Sequence, residues 1–369
     1  MHFISNKQDL SQMIYIVQRA ISAKSPMPIL SGIMFEASDD LLTVTATDLE
    51  MGIKYCMPVK VLEHGKAVLP SKHTADLIRL LPDLPIVFSE DTTNGSMTIK
   101  YGESETSLNC FPEEEYPEID FPEQKGFFTV KESDLESALK QILFAVAAED
   151  NRTASLTGAM FTINKGNLEM VSTDLHRLSW RQLSIESEND EKNVVIIPGK
   201  ALNELSKIVG KNDNEIKVSL NENMILFSIE NISFITRLME GRFPKYKQVI
   251  PESFKSRIRV KTREMLEAAE RAALLNREEK SSIKMEIREG RMTISDNTIN
   301  GRIYEEIPIN LIGEEAKIGF NAYYLIDLLK TIRSEEMEID LSGSFAPGVF
   351  KPFGEKGSLS LILPLRIEN

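Results

Sequence analysis

The amino-acid sequence repeats itself three times, and this repetition limits the possible folds more than any other feature. Leu10 and Leu135 are 125 residues apart, Asp48 and Asp174 are 126 apart, and the third copies follow after 122 or 123 residues. A third of the 369 residues is 123, a usual size for one domain. Proline-bearing stretches at 111–122 and 243–251 separate the copies. The sequence therefore predicts three similar domains, at 1–125, 126–250 and 251–369.

Each copy contains the same order of elements. A short strand precedes an amphipathic helix, whose apolar residues are three and four positions apart, as in Ile14, Val17 and Ile21. A hairpin follows, with polar turn residues at 38–40, 164–167 and 288–290, and then a second strand, helix and hairpin. This pattern is typical of an α+β fold with antiparallel hairpins. The six predicted helices cover 7–24, 71–81, 131–149, 199–211, 261–280 and 322–333.

No catalytic, metal-binding or cofactor-binding motif is visible. The four histidines lack the spacing of a zinc site, and there is no Cys-x-x-Cys, phosphate-binding glycine loop or nucleophile elbow. Asp48 and Asp174 end equivalent strands. They are either one catalytic carboxylate per domain or turn residues that accept backbone N–H groups, and the second interpretation needs no chemistry. We expect no enzyme activity, no metal and no cofactor.

The distribution of charge along the chain limits how it could bind nucleic acid. The chain has 43 Lys and Arg against 56 Asp and Glu, a net charge of −13, which argues against tight phosphate binding. The predicted helices, however, hold 17 Lys and Arg against 13 Asp and Glu. A mildly basic set of helices on an acidic protein predicts backbone-directed, sequence-independent contact with nucleic acid at most.

The compartment follows from what the chain contains. There is no apolar run of about 18 residues that could span a membrane and no apolar signal segment at the start. Cys56 and Cys110 are too few for a disulfide scaffold, so we expect two reduced thiols. The predicted location is the cytoplasm.

The chain resembles the bacterial sliding clamps, the beta subunits of DNA polymerase III, over its whole length. Five short motifs carry the resemblance: Pro-Ile-Leu-Ser-Gly at 28–32, Thr-Ala-Thr-Asp-Leu-Glu at 45–50, Ser-Thr-Asp-Leu-His-Arg-Leu at 172–178, Gly-Arg-Phe-Pro-Lys-Tyr at 241–246 and Leu-Pro-Leu-Arg at 363–366. Their order and spacing, together with the triplication, make the resemblance specific.

The resemblance implies a DNA-clamp fold with two β-α-β-β-β units in each domain. It also implies a head-to-tail homodimer that closes into a ring, with helices lining the hole and sheets outside. Such a ring encircles duplex DNA without catalysis and makes a polymerase processive. The residues expected to face DNA are Arg19, Lys24, Lys72, Arg79, Arg152, Lys200, Lys207 and Lys211.

The resemblance further implies a groove between the second and third domains that binds partner peptides. The partners are replicative polymerase subunits, an ATP-driven clamp loader, repair polymerases, ligase and mismatch-repair proteins. Leu175 stands where the family often has Gly, and Gln248 replaces a residue that is often basic. The expected groove residues are Leu156, Thr173, Leu175, His176, Arg177, Leu178, Pro244, Val249, Asn321, Tyr324, Leu361, Leu363, Pro364, Leu365 and Arg366.

For the contact between subunits, the family suggests Leu108 of the first domain against Leu274 and Leu275 of the third. Pairing of strands from two sheet edges would satisfy backbone groups that are otherwise exposed. Two rival hypotheses remain open from the sequence. One is a triplicated scaffold that binds peptides but not DNA, and the other is a hydrolase that uses Asp48 or Asp174.

Overall fold

The structure is a computed structural model that describes residues 1–22, 27–121, 127–187, 191–274, 282–298 and 301–366. The first repeat contains these elements: β1 His2–Ser5, α1 Lys7–Val17, β2 Gly32–Ser38, β3 Leu41–Thr47, β4 Met51–Pro58, β5 Lys60–Glu63, β6 Gly65–Pro70, α2 Ser71–Leu80, β7 Ile86–Asp91, β8 Ser96–Tyr101 and β9 Ser104–Asn109.

The other two repeats contain the same elements in the same order. In the second they are β10 Phe128–Lys131, α3 Glu132–Leu143, β11 Gly158–Asn164, β12 Asn167–Thr173, β13 Arg177–Ser184, β14 Glu186–Ser187, β15 Asn193–Pro198, α4 Gly199–Ile208, β16 Glu215–Leu220, β17 Met224–Ile229 and β18 Ile232–Arg237. In the third they are β19 Ser256–Lys261, α5 Thr262–Ala273, β20 Ser282–Arg288, β21 Arg291–Thr298, β22 Gly301–Pro308, β23 Asn310–Gly313, β24 Ala316–Asn321, α6 Ala322–Leu329, β25 Glu336–Leu341, β26 Gly348–Pro352 and β27 Ser358–Ile362.

Each repeat is therefore two β-α-β-β-β units with one short strand between them. The predicted α+β class and the six helices are confirmed within the described residues. Two kinds of strand had no segment of their own in the sequence pattern, namely the short connecting strand and one strand of each unit, which is the third strand in five units and β26, the second strand, in the last. Both follow a preceding strand closely, so their apolar residues extend a hairpin pattern without starting a new one.

The helices are shorter than predicted, and this overturns one expectation about charge. As observed, the six helices hold eight Lys and Arg against ten Asp and Glu, so they are not basic. The apolar spacing continues past each helix end, which misled the prediction. The helix α1, for example, changes to a 3-10 turn at Gln18–Ala20 and then to extended backbone at Ile21. Several cations follow the helix ends instead, where they complement the helix dipole.

Two compact units can be distinguished by their internal contacts. The first comprises residues 1–133, 187–189 and 204–238, and the second comprises 134–186, 190–203 and 239–369. Each unit contains part of the second repeat, so the units do not correspond to the three predicted domains. The domain boundaries at 125 and 250 therefore stay a prediction. The first unit holds the five-stranded sheet β5-β1-β7-β8-β9 and most of a nine-stranded sheet in the order β14-β10-β16-β17-β18-β4-β3-β2-β6.

The second unit repeats this arrangement with different strands. It holds the nine-stranded sheet β15-β11-β12-β13-β27-β26-β25-β19-β23 and the four-stranded sheet β22-β21-β20-β24. Its largest apolar core packs the inner faces of α5 and α6 against these strands, with Phe320 and Phe350 in edge-to-face contact at 5.6 Å between ring centres. Burial of such apolar faces is the main source of stability for a fold of this kind.

Local residue choices explain where the elements begin and turn. The Asn6 side chain accepts the Asp9 N–H at 2.8 Å and caps α1, and Asn321 caps α6 in the same way. The predicted hairpin turns are confirmed, because Asp39, Asp40 and Gly290 all have positive φ, as tight hairpins require. Among the described residues, no helix is long and apolar enough to cross a membrane.

Candidate functional site

A cavity of about 110 Å³ lies in the second unit, beside the turn that follows β12. Three segments far apart in the sequence form it: that turn, the loop after β18 and the chain at the end of β27. Its lining residues are Thr173, Leu175, His176, Arg177, Leu178, Pro244, Lys245, Tyr246, Val249, Leu361 and Leu363. Most of these were expected from the sequence as groove residues, and we call this cavity with its rim the groove.

The turn from Thr173 to Arg177 is held by its own side chains. The Thr173 hydroxyl donates to the Arg177 carbonyl at 2.7 Å and accepts the Leu175 N–H at 3.1 Å. One Asp174 oxygen accepts the N–H groups of His176 and Arg177 at 2.9 and 2.8 Å. Leu175 consequently has φ of 74°, a left-handed conformation that presents its side chain to solvent.

The same hydrogen bonds form in the first repeat. The Thr47 hydroxyl donates to the Met51 carbonyl at 2.7 Å, and one Asp48 oxygen accepts the N–H groups of Glu50 and Met51 at 3.1 and 2.9 Å. Leu49 has φ of 75°. The interpretation of the two aspartates as turn residues is confirmed. In the third repeat, by contrast, Asp296 lies inside β21 and forms no such turn.

Arg177 is the most highly connected side chain of the groove. Its Nε donates to Asp174 at 2.9 Å and its Nη1 donates to Asp327 at 2.7 Å. The guanidinium also lies over the ring of Tyr324, at 4.4 Å from the ring centre, and near the ring of Phe144 at 5.6 Å. Such stacking suits the planar, weakly hydrated arginine head group, so the cation is held in one position.

Asn321 and Tyr324, both expected in the groove, lie behind Arg177 and affect the groove only through their neighbours. Asn321 is buried and accepts the N–H groups of Tyr323 and Tyr324, which fixes the start of α6. Tyr324 then presents its ring to Arg177, and also lies 6.2 Å from the imidazole of His176 between ring centres. Neither Asn321 nor Tyr324 lines the cavity itself.

The C-terminal segment forms one wall. The Leu363 N–H donates to the His176 carbonyl at 2.9 Å, and the Leu365 N–H donates to the Gly319 carbonyl at 2.8 Å. Both leucine side chains are partly exposed, at 38% and 36%. Pro364 and Arg366 lie outside the cavity lining. Residues 367–369, which follow Arg366, lie outside the described residues.

The floor is a small apolar cluster under the cavity. Tyr246 packs with Leu178, Leu361 and their neighbours, and burial raises the pKa of its hydroxyl. Leu156, expected in the groove, is instead fully buried, and its carbonyl accepts the Ala147 N–H. The prediction that Leu156 lines the groove is therefore wrong for the cavity, because its side chain is part of the buried core.

A carboxylate sits next to this floor. The Trp180 indole donates to Glu169 at 2.7 Å, and the Lys247 ammonium is 3.3 Å from the same oxygen. Burial alone would raise the pKa of Glu169, but Trp180, Tyr246 and Lys247 together outweigh it and lower that pKa. Glu169 therefore stays ionised and anchors the loop that carries Tyr246.

Sequence reasoning missed several groove residues. Lys245 and Tyr246 line the cavity, and Asp327 pairs with Arg177, yet none was predicted. The first two belong to the motif at 241–246, so a complete reading of that motif would have found them. Asp327 had no sequence signal, because only the folded chain brings α6 beside the turn after β12.

Some of the residues expected to face DNA are exposed, and others are covered or paired. Lys72, Arg152, Lys200 and Lys211 are exposed. Arg19 is mostly covered, lying 4.5 Å over the ring of Tyr15 and pairing with Glu204 at 3.1 Å. Arg79 pairs with Asp76, and Lys207 also pairs with Glu204. Lys24 lies outside the described residues. The structure brings Arg19 and Lys207 together at Glu204 and shows no shared cluster for the others.

The residues expected between subunits lie at sheet edges or beside them. Leu108 is half-buried on β9, an edge strand of the five-stranded sheet. Leu274 follows α5 and is 68% exposed. Near it, Arg271 of α5 donates two hydrogen bonds to Glu305 of β22, which is an edge strand of the four-stranded sheet. Leu275 lies outside the described residues.

Comparison with known proteins agrees with this architecture along the whole chain. Residues 1–120, 129–245 and 247–366 match the N-terminal, central and C-terminal domain models of the DNA polymerase III beta subunit. The beta sliding clamp of Halalkalibacterium halodurans is 34% identical, with 99% of this chain and 100% of that protein covered. That of Staphylococcus aureus is 33% identical, with 94% of each covered.

Solved structures give the same answer for the fold. The DNA polymerase sliding clamp from Bacillus subtilis superposes with a TM-score of 0.94 at 29% identity, and both chains are fully covered. The clamp fold and the resemblance that the sequence predicted are therefore confirmed. The chain belongs to the DNA polymerase III beta subunit family, the bacterial beta sliding clamps.

Proposed function

We propose that the chain forms a head-to-tail homodimer that closes into a ring around duplex DNA and tethers the replicative polymerase to it. One observation carries the proposal. In the first unit, β4 pairs with β18, the last strand of the following repeat. In the second unit, β13 pairs with β27 in the same way. The equivalent partners β22 and β9 are both sheet edges, so a second copy can supply the third pairing.

The two observed pairings share one register, which extends to the proposed one. The first residue of β4, Met51, lies opposite the fifth residue of β18, Thr236. Likewise Arg177 lies opposite Ile362 in the second unit. The same rule places Gly301 of one copy opposite Leu108 of the other. Two such contacts related by a twofold axis close a dimer, as cyclic symmetry requires.

A disulfide experiment tests this register. It uses a background in which Cys56 and Cys110 are replaced by Ser, and adds Ser107→Cys with Arg302→Cys, which the rule puts directly opposite. Facing strand residues have the Cα separation that a disulfide needs. We expect a covalent dimer on mild oxidation, and much less of it from Ser107→Cys with Ile303→Cys, one residue out of register. A monomer at micromolar concentration by light scattering would instead favour a peptide-binding scaffold that does not bind DNA.

Contact with DNA is proposed to be topological and independent of sequence. The exposed Lys72, Arg152, Lys200 and Lys211 supply scattered cations on a chain whose net charge is −13, so affinity alone would be weak. Encirclement removes the need for affinity. The protein should remain on circular DNA after an ATP-driven loader acts and leave when the DNA is cut.

A charge-reversal variant tests the DNA-facing assignment. Lys200→Glu with Lys207→Glu should impair loading and sliding while peptide affinity is unchanged. Lys207 is paired with Glu204, so its reversal also places a second negative charge beside that carboxylate. An equal loss of peptide binding would contradict the assignment of these residues to a DNA-facing surface.

The groove is proposed to bind short linear peptides of partner proteins. The exposed apolar side chains of Leu175, Val249 and Leu363 surround a small apolar cavity, which suits hydrophobic anchors of a peptide. The proposed partners are the replicative polymerase, the clamp loader, repair polymerases, ligase and mismatch-repair proteins. We propose no catalysis and no cofactor, and a cytoplasmic location at the nucleoid.

A further inference from the structure

The guanidinium of Arg177 faces two carboxylates of very different character. Its side chain is only 13% exposed, and Nε and Nη1 are taken by Asp174 and Asp327. An arginine head group stays charged at any ordinary pH, so a nearly buried one needs an anionic or polar partner. How firmly each carboxylate is held determines whether a group of a bound peptide could replace it beside Arg177.

Asp174 cannot leave without unfolding the turn. Its side chain is 14% exposed, and its other oxygen accepts two backbone N–H groups. Loss of these bonds would release the N–H groups of His176 and Arg177, which hold the turn closed. Asp174 is therefore a fixed partner of Arg177.

Asp327 is held much more weakly. It lies on α6, one turn beyond Tyr324, and its side chain is 49% exposed. Water competes for its half-exposed carboxylate, so this end of the ion pair contributes little to stability. Rotation of one side chain can release Nη1 without disturbing the turn or the helix.

We propose that Asp327 is a specificity-determining residue of the groove, which disfavours an acidic side chain at the peptide position that faces Arg177. The inference rests on the proposed peptide-binding function. An acidic peptide side chain would have to displace Asp327 from Nη1, or else approach a site where one cation already faces two anions. A neutral side chain such as Gln meets neither obstacle, since it can hydrogen-bond beside the pair.

The experiment measures discrimination at each position of a probe peptide. The probe is a synthetic hexapeptide with Leu and Phe anchors, prepared as two series in which Gln or Glu replaces each position in turn. For the wild type, we expect one position where Gln is preferred to Glu. In Asp327→Asn, which keeps the side-chain shape, that preference should fall about two- to fivefold, as expected for a charge pair that is partly exposed to water.

Two further measurements make the test specific. Asp327→Glu retains the charge and should restore most of the preference. Asp76→Asn removes an equally exposed aspartate from an Asp–Arg pair on α2 and should leave the preference unchanged. Added salt should reduce the preference in the wild type but not in Asp327→Asn, because charge repulsion is screened.

The outcomes separate this inference from the proposed function. Equal weakening of Gln and Glu peptides by Asp327→Asn would reduce Asp327 to a structural support of Arg177 and overturn the inference. An unchanged preference would overturn it as well. Failure of the wild type to bind any member of either series would overturn the peptide-binding function itself, and the inference with it.

Discussion

The turns Thr47–Met51 and Thr173–Arg177 have the same backbone and different surroundings. Corresponding hydrogen bonds differ by about 0.2 Å at most, and the leucines at their centres have φ of 75° and 74°. Even the next contact is shared, because the carbonyl of Glu50 accepts the Arg237 N–H as that of His176 accepts the Leu363 N–H. The frame of the groove is therefore a property of the repeat.

The two turns differ in two side chains and in the loop that lies beside each turn. Glu50 and Met51 stand where the second repeat has His176 and Arg177. The loop beside the first turn carries Glu113, Glu114 and Glu118 and borders an open cavity of about 1090 Å³ that does not include the turn. The loop beside the second turn has the same length, with 18 residues between its flanking strands, but its Pro244, Tyr246 and Val249 line a cavity of about 110 Å³ together with the turn. The arginine and the small cavity thus occur on one copy of a duplicated frame.

The largest expected effect comes from removing the wall that completes the second site. Deletion of residues 363–369 removes Leu363 and Leu365 with their backbone bonds to His176 and Gly319. Peptide affinity should fall roughly a hundredfold or more, as for loss of a hot spot. Fluorescence anisotropy with a labelled peptide would measure it. Deletion of 367–369 alone is the control, and a dimer should persist in both.

Replacing Arg177, the side chain that distinguishes the two turns, tests whether the shared backbone turn is sufficient for peptide binding. Arg177→Met gives the second turn the residue of the first, and removes the cation from Asp174, Asp327 and Tyr324. We expect peptide affinity to fall about tenfold or more, corresponding to about 1.4 kcal/mol. The reciprocal Met51→Arg should create no peptide site, because the cavity beside the first turn does not include that turn. Unchanged affinity in Arg177→Met would show that apolar contacts determine binding.

How far the sequence could predict this site depends on whether the signal was local. The turn, its aspartate and the apolar residues of the C-terminal segment were found, because each belongs to a short motif or to the repeat. The burial of Leu156 and the role of Asp327 were not found, because both depend on which helix lies behind the turn. The same limit applied to the helix ends, where apolar spacing continued after the hydrogen bonding had changed.

Removal of either turn aspartate should destabilise the fold, but only one of the two changes should affect function. Asp48→Ala and Asp174→Ala each remove two backbone hydrogen bonds and should each destabilise the fold by about 0.5–2 kcal/mol. Urea unfolding measures this as a shift of the midpoint. Asp174→Ala should also weaken peptide binding, since it frees Arg177. Equal loss of peptide affinity in Asp48→Ala would contradict the assignment to the second turn.

The smallest effect is expected at the two left-handed leucines. A non-glycine residue with φ near 75° carries strain of about 1–2 kcal/mol, whereas glycine does not. Glycine, however, loses about 0.5–1 kcal/mol more conformational entropy on folding, which offsets most of that gain. Leu49→Gly and Leu175→Gly should therefore change the unfolding midpoint slightly and to the same extent.

The two variants should differ in peptide binding, because Leu175 lines the cavity while Leu49 faces solvent. A several-fold loss of peptide affinity in Leu175→Gly alone would show that this exposed side chain is retained for binding despite its strain. No loss in either variant would show that the leucine belongs to the repeated frame and contributes nothing to the groove.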